Sequence, residues 1–213
     1  MSREQRRAAI IAATLPLLRA YGQAVTTRQI AEASGIGEGT IFRVFADKAE
    51  LVDCCLSAAL DQQPTLRLFA EVDRQLPLQP RLVAAVRILQ DRLLAVIELL
   101  TALGHAGPPD RRPGPPARDR NPAAEPDRRF GHGELLAAFA ELLEPDRDQL
   151  RLSPLETARV ARMLTFAGSH PAITDTERLS AEQIVSVLLY GVSRAAAPPD
   201  DDQFRSHEEV PGC

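Results

Sequence analysis

Tryptophan is absent from this chain of 213 residues, Lys48 is its only lysine, and aromatic side chains make up 4% of it. Cysteine is scarce too. Cys54 and Cys55 are adjacent and Cys213 stands alone, which is neither a disulfide framework nor a metal-ligand spacing and fits a reducing, cytoplasmic setting. No run approaches the roughly 18 uninterrupted apolar residues that a bilayer span needs, so no membrane partner is expected. The first 22 residues, MSREQRRAAIIAATLPLLRAYG, space their apolar positions with charges and small residues, the pattern of an amphipathic helix and not of a signal peptide. An excess of one charge is also missing. Lys+Arg 25 against Asp+Glu 29 leaves a net charge of -4, which excludes a histone-like polycation and a strongly acidic tail protein but leaves room for a local basic face. His105, His132, His170 and His207 are scattered, without an H-E-x-x-H pattern, and no G-x-S-x-G elbow surrounds Ser169 and His170. No metal, no cofactor and no catalytic residue is therefore expected, and the chain does not read as an enzyme.

What is present is helix. At 45% hydrophobic the chain can build a core, and no alternating β pattern of useful length occurs, so the predicted class is all-α. The spacing predicts helices over about 2–21, 27–34, 38–45 and 48–62, a turn or two at 66–72, a long central helix over 80–103, then 132–144, 154–169 and 180–196. Several starts carry their own signal. Thr26 with Gln29, Ser153 with Glu156 and Ser180 with Gln183 have capping-box spacing, and Asp47 can cap the fourth helix. Pro16 inside the first helix is expected to kink it. Thirty residues from Gly104 hold seven prolines and five glycines, so 105–131 reads as a disordered connector. The expected organisation is a small helical domain at 1–48, a larger helical domain at 49–197 and an acidic flexible tail at 198–213.

The window TTRQIAEASGIGEGTIFRVFADKAEL, residues 26–51, is the most informative. A short capped helix holds Ile30 and Ala31 inward, GIG turns sharply, and a second short helix sends Ile41, Phe42 and Phe45 to a small core. That is the layout of a helix-turn-helix, whose second helix fits a DNA major groove about 12 Å wide. On this reading Glu38, Gly39, Thr40, Arg43 and Val44 face outward. Arg43 is the best base reader, since its planar fork matches guanine O6 and N7. Thr40 suits a phosphate or a thymine methyl, while Thr26, Thr27 and Arg28 at the preceding helix start, with Lys48, suit phosphates. Residues 1–45 carry a local net charge of +3, in keeping with that use.

Thr26, Ile30, Ala31, Ala33–Ser34–Gly35–Ile36, Gly39–Thr40–Ile41–Phe42, Phe45, Lys48 and Leu51 stand at fixed spacing, and through them residues 8–55 resemble the DNA-binding domain of TetR-type transcriptional regulators. The resemblance implies a homodimer on a near-palindromic double-stranded DNA operator, repressing until a small-molecule effector releases it. It places Thr40 on a phosphate or base, Lys48 on phosphate and Arg43 among the base readers. Three positions depart from the family pattern: Val44 where His or Tyr is common, Phe42 where Tyr is frequent, and Gly37 where Ser often caps. The C-terminal region matches only loosely.

In such regulators the last two helices pair across a two-fold axis. By position that interface takes Leu155, Arg159, Arg162 and Phe166 from one helix and Ile184, Val187, Leu188, Gly191 and Val192 from the other. A mostly apolar effector is expected among the central helices, along Leu89, Leu93, Val96 and Leu100, with Met163 and Phe166 nearby and Arg87, Arg92 or Glu98 as polar handles. The competing function is a helical interaction or ligand-binding adaptor without sequence-specific DNA binding; salt-dependent preference for one duplex over a scrambled one separates the two.

Overall fold

The structure is a computed structural model, and it describes residues 2–104, 132–174 and 177–191. The expected connector at 105–131, the tail at 198–213, Val192, His105, His207 and Cys213 lie outside the described residues. Every regular element among the described residues is a helix: α1 (Arg3–Tyr21), α2 (Thr27–Ala33), α3 (Glu38–Val44), α4 (Lys48–Leu60), α5 (Gln63–Glu71), α6 (Leu78–Ala102), α7 (His132–Leu143), α8 (Pro154–Ser169), α9 (Pro171–Thr174) and α10 (Ala181–Tyr190). The fold is all-α. It divides into two compact units, one from residues 1–64 and 92–132, the other from 65–91 and 133–213, so that α6 contributes to both.

In the first unit the helix starts are set locally. Ser2 opens α1 and Thr26 opens α2, each through a complete capping box, and Asp47 caps α4 by accepting the Glu50 N–H. Pro16 does not interrupt α1, which is continuous from Arg3 to Tyr21. The chain leaves α1 through Gly22, whose φ of 56° favours glycine and where an added Cβ would lie 2.2 Å from the Ala102 carbonyl oxygen. Ile10, Leu18, Ile30, Ile41, Leu51 and Phe45 fill the core together with Leu99 of α6 and Leu103 just after it. Burial of side chains this size stabilises by roughly 1.5–3 kcal/mol each, which is what holds helices as short as α2 and α3 in place.

The second unit is built around Leu82, Val86 and Leu89 of α6, Phe139 and Leu142 of α7, and Ile184 and Val185 of α10. Phe69 of α5 meets Phe139 with ring centroids 5.6 Å apart. The inward side of α8 is made of small residues, Thr157, Ala158, Ala161, Thr165, Gly168 and Ser169. An added Cβ at Gly168 would press on Leu179 at 3.1 Å, so this face is fitted closely. Arg81 is buried at 2% exposure; it pairs with Asp146 and donates to the Arg74 carbonyl at 2.6 Å. Two expected boundaries move by three residues or more. The short helix predicted at 66–72 begins at Gln63. The one predicted over 180–196 ends at Tyr190, where Gly191 takes φ 71°.

Candidate nucleic-acid interface

The turn between α2 and α3 follows from its glycine. Gly35 has φ 64°, and the Ile36 N–H returns to the Ala31 carbonyl at 3.0 Å, closing α2 while Ile36 packs against the core. α3 then starts at Gly37 without a side-chain cap. Its seven residues divide by register. Ile41 and Val44 lie three apart and both face inward, followed by buried Phe45. Gly39, Phe42 and Arg43 fall on the opposite side and are exposed. A Cβ at Gly39 would meet nothing within 4 Å, so the backbone there is bare on the outward face.

This register corrects two expectations. Val44 is 6% exposed and belongs to the core, so it is not an outward reader. Phe42 is 51% exposed and is not a core residue. The reason is the helical wheel: from Ile41, a step of three keeps the direction and a step of one turns it by about 100°.

The polar residues are held to different degrees. Thr26 is exposed; its hydroxyl accepts the Gln29 N–H at 3.2 Å and donates to Gln29 Oε1 at 2.9 Å. The Thr27 hydroxyl donates to Glu38 Oε1 in a short hydrogen bond that ties the start of α2 to the start of α3. Lys48 Nζ donates to the Gln23 carbonyl at 2.6 Å, which leaves two of its three donors uncommitted. Arg28 and Arg43 are exposed and make no hydrogen bond or ion pair with the described residues. Thr40 is half-buried, its N–H bonded to the Gly37 carbonyl at 2.8 Å. The result is a surface with two uncommitted guanidiniums, one partly committed ammonium, three hydroxyls of which those of Thr26 and Thr27 are engaged, and one carboxylate held by Thr27.

Arg7 of α1 was not among the expected site residues. Its Nη1 donates to the Val44 carbonyl at 3.3 Å, and its Nη2 donates to Glu50 Oε1 at 3.0 Å and lies 2.8 Å from Cys54 Sγ. The guanidinium carbon sits 4.5 Å from the centroid of the Phe45 ring. Glu50 also accepts the Ala46 N–H at 2.6 Å. That bond first, and Arg7 second, hold its carboxyl below the usual carboxylate range. The spacing carried a signal: Arg7 stands three before Ile10 and seven before Thr14, on the buried side of α1. Cys55, next to Cys54 in α4, is buried, and its thiol is pushed up to about 12 by desolvation.

The residues expected to line an effector pocket do not form one group. Leu89 is a core residue of the second unit, and Leu93, Val96 and Leu100 are half-buried in the stretch of α6 belonging to the first. Arg92 donates to the Leu60 and Asp61 carbonyls at 2.7 and 2.5 Å, capping the end of α4. Arg87 pairs with Glu182 at the rim of a groove of about 340 Å³ lined also by Gln79, Pro80, Val83 and Ala84. Met163, at 63% exposure, and Phe166, at 47%, stand on the surface of α8.

Of the residues expected at a dimer interface, Leu155, Arg159 and Phe166 are exposed along α8, and Arg162, Val187 and Leu188 are half-buried. Gly191 is exposed. Ile184 is in the core at 1% exposure, so it is not available to a partner. No group of three or more metal-ligating side chains occurs among the described residues, and none of their helices is long and apolar enough to cross a membrane.

Residues 10–55 match the sequence profile of the bacterial regulatory proteins of the tetR family. No match was found among curated protein sequences. Among solved structures, one assigned to the TetR family of transcriptional regulators, from Mesorhizobium loti, aligns with a TM-score of 0.57 at 16% identity over 89% of this chain and 97% of its own. A transcriptional regulator from Rhodococcus sp. Rha1 aligns with a TM-score of 0.51 at 15% identity, over 85% and 92% of the two chains. A third, assigned to the same family, from Vibrio parahaemolyticus, gives 0.50 at 18% identity over 86% and 96%. At such identities the likeness is one of fold.

Proposed function

We propose that this chain, which carries the helix-turn-helix fold of TetR-family regulators, is a ligand-responsive transcriptional repressor that binds a near-palindromic DNA operator as a homodimer. The observation that carries the reading is the division of α3, anchored through Ile41 and Val44 while Gly39 and Arg43 are exposed and Thr40 is half-exposed.

In this reading α3 enters the major groove. Arg43 offers its fork to guanine O6 and N7, and the bare backbone at Gly39 lets the helix approach closely. Glu38, held by Thr27, keeps a free carboxylate oxygen that can accept only, so it suits the amino group of cytosine or adenine. Phe42 suits a thymine methyl. Thr26, Thr27, Arg28, Thr40 and Lys48 serve the phosphates, which fix register without reading sequence.

A second copy pairs through the exposed side of α8 and the half-buried side of α10, and the two reading helices then stand about 34–36 Å apart, one turn of B-DNA. A small, mostly apolar effector bound along α6 changes that separation. Support for this lies in α6 supplying Leu82 and Val86 to one core and Leu99 to the other. A coupling of about 1–3 kcal/mol between effector and operator is ordinary for such a device.

The test is selection of bound duplexes from a random pool. Enrichment of an inverted repeat with half-sites one helical turn apart is expected, with affinity falling steeply as salt rises. A pool that stays random after selection, or one enriched in a single unrepeated site, would remove the operator reading.

A further inference from the structure

We propose that Arg7 is the positioning residue of the reading helix: it touches no base, and it fixes the direction in which α3 presents Arg43 and Thr40. The geometry stands by itself; its consequence for operator binding rests on the function proposed above.

A helix of seven residues does not persist in water by its own propensity, so its direction is set by what holds its two ends. The start of α3 is held by Glu38 to Thr27. At the other end the last carbonyls have no partner within the helix and carry the negative end of its dipole. The Phe45 N–H returns to Ile41, which leaves the Val44 carbonyl to be satisfied from outside. Arg7 does this from α1, at 3.3 Å, and the same guanidinium binds Glu50 of α4 and lies on the Phe45 ring. Glu50 in turn receives the Ala46 N–H from the corner between α3 and α4. One planar cation thus joins three helices at the residue that follows Arg43. Lysine has a point charge and cannot serve a carbonyl, a carboxylate and a sulfur in one plane.

A phosphate contact is the competing role for an arginine near a DNA-binding surface, and the two roles leave different traces. A phosphate ligand contributes alike to specific and non-specific binding and to the salt slope; a positioning residue contributes to the specific complex only.

The experiment uses the full chain, its Arg7→Met and Arg7→Lys variants, the duplex that the unaltered chain selects, and a scrambled duplex. For Arg7→Met, specific affinity falls about tenfold, as expected for lost charge-assisted hydrogen bonds. Non-specific affinity and salt slope stay as they were, and amide exchange at residues 41–46 quickens in the free protein while α8 is unchanged. Arg7→Lys recovers part of both effects, and it decides the matter if Arg7→Met does not fold. Equal losses on both duplexes with a salt slope smaller by about one would make Arg7 a phosphate ligand and overturn the proposal. Unchanged specific affinity or unchanged exchange would overturn it as well. If the unaltered chain selects no duplex, the DNA-binding reading fails by itself, and exchange at 41–46 still judges the tether: quickened, it stands; unchanged, it falls.

Discussion

α3 and α8 solve opposite problems with the same backbone. α3 buries its large apolar residues, Ile41 and Val44, and exposes a charged and polar side. α8 buries Thr157, Ala158, Ala161 and Thr165 and exposes Leu155, Met163 and Phe166, at spacings of eight and three along the helix. The second arrangement inverts what water asks of a surface helix. Its small inner face lets neighbours approach closely, and its outer face sets the exposed apolar residues Leu155, Met163 and Phe166 around Arg159. The first arrangement suits a polar, highly charged partner, the second a copy of the same apolar surface. A helix-turn-helix regulator requires one of each, and the contrast is most useful where it can be broken.

The largest effect is expected at Phe166. Phe166→Glu places a carboxylate in the centre of the proposed interface, where an unpaired buried charge costs roughly 3–5 kcal/mol. Sedimentation should show the dimer dissociating at micromolar concentration with helix content unchanged, and operator binding should fall with it. A variant that stays dimeric would show that the exposed side of α8 has another use.

Next comes the outward side of α3. Arg43→Ala is expected to lose about 1–3 kcal/mol of discrimination at one base pair of each half-site while leaving the dimer intact. Glu38→Gln gains two donors and keeps one acceptor, so the preference at its base pair should broaden, seen as a second base rising in the selected pool. A pool unchanged in both variants would move the reading surface elsewhere.

The inner and outer positions of α3 give a paired stability test. Val44→Ala removes two buried methyl groups and should lower unfolding free energy by about 1–3 kcal/mol. Phe42→Ala removes a larger side chain from an exposed position and should stay within about 0.5 kcal/mol. Urea midpoints check both, and the reverse order would mean that the register of α3 is wrong.

That pair also marks the limit of what could be read from the residues. Caps are local, so Thr26 with Gln29, Asp47, Ser153 with Glu156 and Ser180 with Gln183 each announced a helix start that is present. Gly35 announced the turn. Hydrophobicity places Phe42 inward and motif position places Val44 outward, and both are reversed because in a short helix the register decides exposure: Phe42 stands one residue from Ile41, and Val44 stands three. Ile184 was misplaced for a related reason, since the broad apolar stripe of α10 serves the core before any partner. Long cations were least legible. Arg92 caps α4 from a residue 31 positions away from Asp61, and Arg7 caps α3 from one 37 positions before Val44. No local pattern encodes such contacts, although the position of Arg7 on the buried side of α1 was a usable hint.

The smallest effect distinguishes the anchored end of α3 from its outward side by pH. Glu50 is held below the usual carboxylate range chiefly by the Ala46 N–H and then by Arg7, so its bonds favour the ionised form. A carboxylate depressed in this way contributes its full share of stability above its ordinary value, and loses it as pH falls through the lowered one. Amide protection at residues 45–47, measured against the unstructured rate at each pH, should therefore be flat down to about pH 5 and fall below the ordinary carboxylate value near 4.3. In Glu50→Gln the same amides should exchange faster at neutral pH and show no further acid step. The exposed side of α3 has no such partner for Arg43, so its contribution to DNA binding should not follow this step. A Glu50→Gln protein that kept the acid step would transfer it to another carboxylate, and Asp47, whose side chain caps the next helix, would be the group to substitute next.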